Sequence, residues 1–393
     1  MSTMVGSDHD PIRILHIIGS MRLGGGVQAW FMRVLRHIDR QRFRMDVQTM
    51  FSDVYDNEIR ALGSEIFLCP PYRRPWSYAR NLKRILSEHG PYDMVHSHVP
   101  SHSGYVLRLA QWAGVPIRIA HSRAADSPFL TRSGLLRRGY ETLMKRWIAR
   151  YATAGLASSQ KAAATMFGPA WGTDSRYWQT LYPATDLTPF RALVDLDIVR
   201  AELDIPPDAF VVGHVGRFTE QKNHTFLVDV AAEVAQREPR MCLLLVGDGP
   251  LRLAIEQKVA QMGLADRVVL AGFRLDVPRL MLGVMDVFLF PSLFEGLGLV
   301  LIEAQAAGLC CVFSEVVPEE ANLVKPLVRR LSLLQPPSVW AEEILAARNA
   351  GPGITQPEAL AFVEQSPFNI RTGVKKLEEF YLDCYQRAFE RIR

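Results

Sequence analysis

The chain has 393 residues, of which 48% are hydrophobic and 22% are charged. A chain of this length is too long to fold around one hydrophobic core, so two domains are predicted. The composition excludes a disordered or fibrous protein. No apolar run reaches the roughly 18 residues that a membrane-spanning helix requires, and the acidic, polar N-terminus lacks the pattern of a signal peptide. Five cysteines without a Cys-x-x-Cys spacing favour free thiols in a reducing cytosol.

The net charge of +4 conceals an uneven distribution along the chain. Residues 1–190 contain 24 Lys and Arg against 14 Asp and Glu, whereas the remaining residues contain 21 against 27. The surplus of ten positive charges in the first half favours an anionic partner there, such as phosphate groups or an acidic membrane surface. A drift in composition without function would give the same asymmetry.

Short apolar runs alternate with helical periodicities along the first half of the chain. This alternation predicts a parallel sheet that is covered by helices on both faces. The predicted strands lie within residues 12–20, 43–51, 64–70, 92–99, 117–123 and 153–160, and the predicted helices lie within 27–39, 56–63, 76–90 and 103–116.

A second series of the same kind begins near residue 209 and predicts a second doubly wound sheet. We divide the chain at the proline-bearing stretch 181–190, into an N-terminal domain of residues 1–187 and a C-terminal domain of residues 188–369. The tail predicts an amphipathic helix, residues 370–393, which packs back on the first domain. The strands are predicted within 209–218, 241–250, 268–273, 286–292 and 310–315, and the helices within 222–238, 251–263, 276–285 and 299–308.

The fold class is therefore α/β, with two facing Rossmann-like domains. Ligands bind such sheets outside the carboxyl ends of the strands, which predicts a ligand cleft between the domains. Glycines 24–26 open the first helix directly after the first strand, a position where backbone amides can approach an anion. Arg217 and Lys222 occupy the loop between a strand and a helix of the second domain, where two cations suit a diphosphate. Each of these features alone would also fit an ordinary turn or a solvated surface pair.

Two acids in an apolar neighbourhood follow the strand that ends near Pro291. Glu295 lies on the loop, and Glu303 lies more than one turn into the next helix, which reads as largely buried. The first amides of that helix have no carbonyl partner within it and can bind phosphate. We therefore predict that Glu295 meets a sugar, that these amides meet a diphosphate and that Glu303 meets a ribose diol. A capping Glu295 and an exposed Glu303 are the alternative.

These stretches together resemble glycosyltransferase family 4, the retaining enzymes of GT-B fold. The resemblance is carried by "GRFTEQKN", "LLLVGDGPLR" and "DVFLFPSLFEGLGLVLIEAQAAG", in which Glu295 and Glu303 match the Glu-x₇-Glu signature. In the first half, "GGGVQAWFMRVLRHIDRQRFRMDV" and "YDMVHSHVPSHSGYVLRLAQWAGVPIRIAHSR" resemble the subgroup that assembles capsule and exopolysaccharide. The resemblance covers residues 12–325 and the tail helix. Gln28 departs from the pattern where relatives usually carry Glu, and Gly298 departs where close relatives often carry Pro.

The resemblance implies roles for individual residues. His121 and Glu295 would be catalytic and would face the transferred sugar, with His121 also near the acceptor hydroxyl. Arg217 and Lys222 would hold the donor diphosphate, and Glu303 would hold the ribose. The other implied donor contacts are the amides of Gly298, Leu299 and Val300 at the phosphates, Phe273 and Arg274 beside the base, and Gly25 and Gly26 over the phosphates.

The expected activity is a retaining transfer of a sugar from a nucleotide-diphosphate sugar, UDP favoured over GDP, to a glycan acceptor carried on a polyprenyl diphosphate. The enzyme would act in exopolysaccharide or capsule biosynthesis, without a cofactor, and would bind no nucleic acid. A catalytically inactive partner of GT-B fold and a nucleotide-sugar epimerase are the alternatives. The complete Glu295–Glu303 signature disfavours the epimerase, and the presence of Arg217, Lys222 and Glu295 disfavours the inactive partner.

We predict no metal site. The two Asp-x-Asp triplets, Asp8–Asp10 and Asp195–Asp197, lie at no strand end and are interpreted as surface features. His96, His98 and His102 have a spacing that could ligate zinc, but no cysteine accompanies them, and polar lining of the cleft is the favoured interpretation.

Residues 130–152 predict a helix that accounts for part of the positive charge. Its apolar stripe either packs on the core of the first domain or binds the anionic inner leaflet of a membrane, and we favour the membrane because family acceptors are often lipid-linked. The expected location is therefore the cytoplasm, in peripheral association with the inner membrane. The stripe consists of Leu136, Tyr140, Leu143, Trp147, Ile148 and Tyr151, and the basic residues around it are Arg137, Arg138, Lys145, Arg146 and Arg150.

Overall fold

The computed structural model describes residues 10–21, 26–52, 54–99, 102–123, 135–168 and 178–390. The chain divides into two compact units, one formed by Met1–Tyr182 with Gly373–Arg393 and the other by Pro183–Thr372. We call them unit 1 and unit 2. The sequence-based division, at residues 187 and 188, falls slightly later in the chain.

Unit 1 contains a parallel sheet with the strand order β3-β2-β1-β4-β5-β6-β7 in the part of the chain that the structure describes. The chain first builds outward from β1 to β3 and then returns to the other side of β1 to place β4. The carboxyl ends of β1 and β4 are therefore the topological switch point, where sheets of this type bind ligands. The strands are β1 (Ile12–Ile17), β2 (Phe43–Thr49), β3 (Ile66–Leu68), β4 (Met94–Ser97), β5 (Ile117–Ser122), β6 (Ala154–Ala157) and β7 (Trp178–Thr180).

Helices cover both faces of this sheet, as the alternating pattern predicts. The first helix buries an apolar face, because Trp30, Phe31, Val34 and Leu35 are at most 2% exposed. The fourth and fifth helices approach closely at Gly104, where an added Cβ would lie 2.4 Å from the carbonyl oxygen of Met144. The helices are α1 (Gly26–His37), α2 (Asp56–Ala61), α3 (Pro75–Glu88), α4 (Ser103–Trp112), α5 (Leu135–Tyr151) and α6 (Gln160–Phe167).

Unit 2 contains a second parallel sheet with the strand order β10-β9-β8-β11-β12-β13. Its switch point lies between β8 and β11, because the chain reverses direction there. The strands are β8 (Phe210–Val215), β9 (Met241–Val246), β10 (Val268–Gly272), β11 (Val287–Phe290), β12 (Cys310–Ser314) and β13 (Val328–Leu331), and the helices are α7 (Leu196–Ala201), α8 (His224–Arg237), α9 (Arg252–Gln261), α10 (Val277–Gly283), α11 (Leu299–Ala306), α12 (Pro337–Ala350) and α13 (Gln356–Glu364).

The last helix, α14 (Ile370–Glu390), begins in unit 2 and lies in unit 1 from Gly373 onward. Its predicted stripe is partly buried: Leu377 and Tyr381 are 0% exposed, whereas Phe389 is 37% exposed. The tail therefore contributes to the core of unit 1. Among the described residues, no helix is both long enough and apolar enough to cross a membrane.

The predicted α/β fold with two Rossmann-like sheets is confirmed. Several elements were not predicted, among them α6, α7, α12, α13, β7 and β13. β7 has three residues and β13 has two arginines among four partly exposed residues, so neither shows the continuous apolar run that marks a buried strand.

Candidate functional site

Two loops meet at the switch point of unit 2. The loop after β8 runs to Asn223, whose left-handed backbone (φ 56°) precedes α8. The amide of Leu293, in the loop after β11, donates to the carbonyl of Gln221 at 2.8 Å, and the Gln221 side chain donates to the carbonyl of Phe294 at 3.0 Å. These bonds fix the loop that carries Lys222 against the loop that carries Glu295.

Lys222 and Glu295, both predicted as site residues, form an ion pair. The Lys222 Nζ lies 2.6 Å from Glu295 Oε1, and the side chains are only 15% and 7% exposed. The ammonium group also lies 4.5 Å from the centre of the Phe290 ring, a cation–π distance. The two residues therefore act as one unit in the free protein, whereas the sequence placed them at the diphosphate end and the sugar end of a donor. Arg217, on the same loop, is exposed.

The turn into α11 depends on a glycine. Gly298 has φ 84°, in the left-handed region, and an added Cβ would lie 3.2 Å from a ring carbon of Phe290. This conformation starts α11 at Leu299, so the amides of Leu299 and Val300 stand in its first turn, ahead of the repeating hydrogen bonds. The predicted start of a helix at Leu299, after the carboxyl end of β11, is thus present, and anion binding there stays a prediction.

Glu303 lies in α11 and is partly buried. Its Oε1 accepts a hydrogen bond of 2.7 Å from the hydroxyl of Thr185, which is 2% exposed. Glu303 is therefore held from the start of unit 2 and is not a freely solvated helix residue.

The remaining residues that were predicted to contact the nucleotide-sugar donor are held in different ways. Phe273 is 47% exposed, as a stacking platform for a base would be. Arg274 forms two hydrogen bonds of 2.7 Å with Asp276, and these bonds raise the pKa of the guanidinium. Gly26 is exposed at the start of α1. Gly25 lies outside the described residues.

The Asp-x-Asp triplet in unit 2 has a structural role. The Asp195 side chain accepts from the amides of Asp197 and Ile198 and so caps α7. Helix capping is an ordinary structural role for the Asp195 carboxylate. The other triplet, Asp8–Asp10, lies largely outside the described residues.

His121, the other predicted catalytic residue, belongs to a buried histidine cluster at the switch point of unit 1. His16 of β1, His96 of β4, His98 directly after it, and His121 of β5 are between 0% and 3% exposed. The His96 Nε2 lies 3.0 Å from His121 Nδ1, and the His16 Nδ1 lies 3.0 Å from His98 Nε2. We call these four residues the histidine cluster.

Burial keeps the histidine cluster uncharged. It lowers the pKa of His16 to about 3 and lowers the pKa values of His96, His98 and His121 well below the ordinary value of 6.5. The nearby guanidinium of Arg123 acts in the same direction on all four rings. Neutral imidazoles both donate and accept hydrogen bonds, so their tautomers decide what the cluster can bind.

The cluster differs from the set His96, His98 and His102, whose spacing could ligate zinc. His102 lies outside the cluster and stacks on Tyr72 at 4.4 Å between ring centres. The possible ligand set in the described residues is His16, His96 and His98, whose nearest ring nitrogens lie within 4.8 Å of one another. His98 and His96 are buried, and neither is an exposed lining residue.

Sequence reasoning missed His16, Arg123 and Tyr381 as members of this site. His16 lies inside an apolar strand, Arg123 ends another strand, and Tyr381 lies 285 positions after its hydrogen-bond partner His96. No local motif marks any of the three as a site residue: strand order brings His16 and Arg123 to the site, and helix α14 brings Tyr381.

The basic helix α5 is only partly packed. Met144 and Ile148 are 3% and 2% exposed, and Trp147 stacks beside Tyr105 on α4. The first turns of the helix remain open, with Leu136 93%, Tyr140 38% and Leu143 40% exposed. The predicted stripe is therefore divided between core packing at its end and an exposed apolar surface at its start.

Comparison with known protein families finds a match in each of the two units. Residues 25–176 match the glycosyl transferase 4-like domain, and residues 209–347 match the model named glycosyl transferases group 1. The chain is 36% identical to a Bacillus subtilis protein named glycosyltransferase EpsF, over 86% of this chain and 88% of that protein. The chain therefore belongs to the glycosyltransferase group 1 family and is a glycosyltransferase.

Two other relatives indicate the range of the family. An Escherichia coli enzyme named UDP-Gal:α-D-GlcNAc-diphosphoundecaprenol α-1,3-galactosyltransferase is 27% identical over 79% of this chain and 81% of its own. The capsular polysaccharide biosynthesis glycosyltransferase CapH of Staphylococcus aureus is 24% identical over 94% and 99%.

The fold matches solved structures of GT-B type. The crystal structure of Anabaena HepE in complex with UDP-glucose is 19% identical and aligns with a TM-score of 0.77, over 94% of this chain and 99% of that one. At this identity the likeness establishes the fold.

Proposed function

We propose that the protein is a retaining glycosyltransferase that moves a sugar from a UDP-sugar to an acceptor carried on a lipid diphosphate, in exopolysaccharide or capsule biosynthesis. The names of the E. coli and S. aureus relatives support the acceptor and the pathway class. The complexes of Anabaena HepE with UDP and UDP-glucose support a uridine donor.

One observation carries the proposal: the Lys222–Glu295 pair stands beside the open start of α11 at the switch point of unit 2. The amides of Leu299 and Val300 suit a phosphate, because unpaired helix-start amides and the helix dipole both favour an anion. A diphosphate bound there would compete with Glu295 for the Lys222 ammonium. Donor binding would then free the Glu295 carboxylate to accept hydrogen bonds from sugar hydroxyls.

Arg217 and Lys222 would neutralise the negative charge that develops on the departing diphosphate. Such stabilisation, together with positioning of the reacting groups, supplies the main rate enhancement in reactions of this kind. In a retaining front-face transfer the leaving phosphate would accept the proton of the acceptor hydroxyl. The exposed guanidinium of Arg217 is available for this contact without breaking an ion pair that the structure describes. We propose that neither a cofactor nor a divalent ion is needed.

The proposed location is the cytoplasmic face of the inner membrane, with unit 1 in contact with anionic lipid. The exposed apolar start of α5, among basic residues, supports this contact. A lipid-linked acceptor would then reach the enzyme from the same surface.

Product formation tests the proposal. The purified protein is incubated with UDP-glucose, UDP-galactose, UDP-N-acetylglucosamine and GDP-mannose, each with a short-chain prenyl-diphosphate-linked sugar acceptor, and products are identified by mass spectrometry. We expect transfer from a UDP-sugar, retention of the anomeric configuration, and unchanged turnover in EDTA. Loss of turnover in EDTA that Mg²⁺ or Mn²⁺ restores would contradict metal independence. Transfer from GDP-mannose alone would contradict the uridine donor.

A further inference from the structure

We propose that the histidine cluster, Arg123 and Tyr381 form a binding site for a phosphate or diphosphate group of a substrate at the switch point of unit 1. The proposal rests on the proposed function in that substrates of sugar transfer carry such groups. The residues of this proposed site belong to unit 1, whereas the Lys222–Glu295 pair belongs to unit 2.

The first observation is a cation without a counterion. Arg123 lies directly after β5, with its guanidinium carbon 3.8 Å from the centre of the Trp30 ring. Its Nε and Nη2 are buried and have no hydrogen-bond acceptor in the described parts of the chain. Within the described part of the chain, Arg123 forms no ion pair with a carboxylate, and its charge acts on four neutral rings. Burial lowers the pKa of Arg123 only to about 9, so the group remains charged at pH 7.

A buried, unpaired charge is costly, and proteins place such groups where a ligand supplies the counterion. The planar guanidinium donates through a fork of N–H groups that matches the oxygens of a phosphate. The Trp30 ring covers one face of this fork, and the donors Nε and Nη2 lie at its edge without a described acceptor.

The second observation is a hydrogen-bond chain that determines which proton His121 carries. The hydroxyl of Tyr381 lies 2.7 Å from His96 Nδ1, its one partner among the described residues. A buried hydroxyl donor without an acceptor is costly, so Tyr381 donates and His96 Nδ1 accepts. The His96 proton is then on Nε2 and is donated to His121 Nδ1 at 3.0 Å.

It follows that His121 carries its proton on Nε2. This nitrogen is buried and has no acceptor among the residues that the structure describes. His121 and Arg123 are two positions apart at the end of β5, so their side chains leave the same face of the strand, and both contact Trp30. Two kinds of donor without a described acceptor thus meet at one place, and an oxyanion would accept from both and balance the charge of Arg123.

The same features disfavour a metal ion at His16, His96 and His98. A metal cation would stand beside the Arg123 charge, and His96 would have to give up a ring nitrogen that already bonds Tyr381 or His121. Neutral imidazoles can ligate a metal ion without help from a cation, so metal binding would not explain why Arg123 stands there. An oxyanion satisfies the charge of Arg123 and leaves the chain from Tyr381 to His121 intact.

Histidine NMR tests the site on the whole protein. Protein labelled with ¹⁵N-histidine is titrated with inorganic pyrophosphate at pH 7, and the tautomer and the shift of the His121 Nε2–H are followed. We expect the Nε2–H tautomer in the free protein and a saturable shift of this resonance. Arg123→Gln is expected to weaken the apparent affinity at least about tenfold. Arg108→Gln serves as the matched control, because Arg108 also stacks on tryptophan in unit 1 and has a buried, unpaired Nε.

The role of Tyr381 has its own control. Tyr381→Phe removes the donor to His96, so a mixture of His121 tautomers and weaker pyrophosphate binding are expected. Tyr78→Phe removes one hydroxyl from an equally buried tyrosine that bonds Gln48 at 2.8 Å, and it should leave the His121 tautomer unchanged. A His121 tautomer that is unaffected by Tyr381→Phe would contradict the hydrogen-bond chain.

The source of the phosphate is tested by displacement. UDP and farnesyl diphosphate are titrated separately against the pyrophosphate complex. Displacement by UDP would assign the site to the donor, and displacement by farnesyl diphosphate would assign it to the acceptor. An unmoved His121 resonance at all pyrophosphate concentrations, or displacement by neither compound, would overturn the proposal. If the resonance responds but no nucleotide sugar is turned over, the proposed function fails and the oxyanion site stands.

Discussion

At the scale of single residues, the chemistry depends on which charges are paired in the free protein. Lys222 and Glu295 neutralise one another, and Arg274 is held by Asp276, whereas Arg217 is exposed. In unit 1, Arg123 has no described carboxylate partner. The two switch points therefore differ. In unit 2 a ligand can bind Lys222 only by displacing the Glu295 carboxylate. In unit 1 Arg123 has no carboxylate partner among the described residues.

Substitutions at the unit 2 site should separate turnover from binding. Glu295→Gln is expected to lower kcat about 100-fold, because it removes the charge that we propose meets the transferred sugar. The affinity for UDP should stay within a few-fold of the wild-type value.

Arg217→Ala is expected to weaken UDP binding about tenfold. It should have little effect on stability, since the Arg217 side chain is exposed. Calorimetric titration with UDP and initial rates measure both.

Arg240→Ala is the control for Arg217→Ala, because Arg240 is also exposed but precedes β9 at the opposite end of the strands. Full activity of Glu295→Gln would contradict the assignment of Glu295 to the sugar.

Much of this residue set could be predicted from sequence, because the loops after β8 and β11 carry contiguous motifs. Arg217, Lys222, Glu295, Gly298 and Glu303 all lie within two such stretches. What the motifs could not predict was that Lys222 and Glu295 pair directly. That contact depends on the bonds between Gln221 and the β11 loop, which are 72 or more positions apart.

At the scale of elements, the start of α11 and the start of α5 are the two segments with functional consequences. The first depends on backbone conformation and the second on exposed side chains. The boundaries of α11 could be predicted, because Gly298 precedes an apolar helical pattern. The division of α5 into a packed and an exposed part could not, because its stripe is continuous in sequence and only α4 decides where packing ends.

Gly298→Ala tests the helix start. A side chain in this left-handed conformation costs about 1–2 kcal/mol, and the displaced amides should weaken UDP binding about tenfold. Gly263→Ala is the matched control, because Gly263 has φ 68° in open space away from the β11 loop. It should lose comparable stability in urea denaturation and keep the UDP affinity. Equal loss of UDP affinity in both variants would contradict a specific role of the α11 amides.

The start of α5 should bind anionic membranes. Each basic residue near an anionic surface adds about 1 kcal/mol, and salt screens exposed charges beyond about 10 Å at 0.1 M. The protein should therefore float with phosphatidylglycerol vesicles at low salt and much less at high salt. Replacing Arg137, Arg138, Lys145 and Arg146 by Glu should abolish flotation.

The control reverses four exposed basic residues of unit 1 that lie outside α5, and it should still float. Wild-type protein that ignores anionic vesicles at every salt concentration would show that the acceptor reaches the enzyme in another way. The control residues are Arg40, Arg42, Lys375 and Lys376.

At the scale of the whole molecule, two doubly wound sheets each bring charged or polar residues to their switch points. This architecture followed from the alternation of apolar runs and helical periodicities, which is strong in both halves. The histidine cluster did not follow from sequence, because strand order brings β1, β4 and β5 together and helix α14 supplies Tyr381 from the far end of the chain.

The histidine cluster should make unit 1 sensitive to acid. His16 has a pKa of about 3 in the folded protein against 6.5 when unfolded, so only the unfolded chain gains a proton as pH falls below 6.5. The contribution of the uncharged His16 to the free energy of unfolding is therefore fully present above pH 6.5. It is lost progressively as the pH falls toward 3. Between pH 6.5 and 5 this histidine alone should cost about 2 kcal/mol.

Urea denaturation at pH 7, 6 and 5 measures this slope. His16→Gln should reduce the pH dependence without abolishing it, because His96, His98 and His121 also have lowered pKa values. His37→Gln, at an exposed position on α1, should leave the pH dependence unchanged. Equal stability of the wild type at pH 7 and pH 5 would show that the cluster accepts protons in the folded state.

The central claim, that the protein uses a UDP-sugar, is tested most directly by ligand-induced stabilisation. The wild type and the Arg217→Ala variant are unfolded by heat in the presence of UDP, GDP or ADP, each at increasing concentration. UDP at about 100 times its Kd should stabilise the wild type by about 2.7 kcal/mol, GDP and ADP should do so less at equal concentration, and Arg217→Ala should need more UDP for the same shift. If none of the three nucleotides raised the unfolding temperature of the wild type, the claim that the protein uses a UDP-sugar would be contradicted.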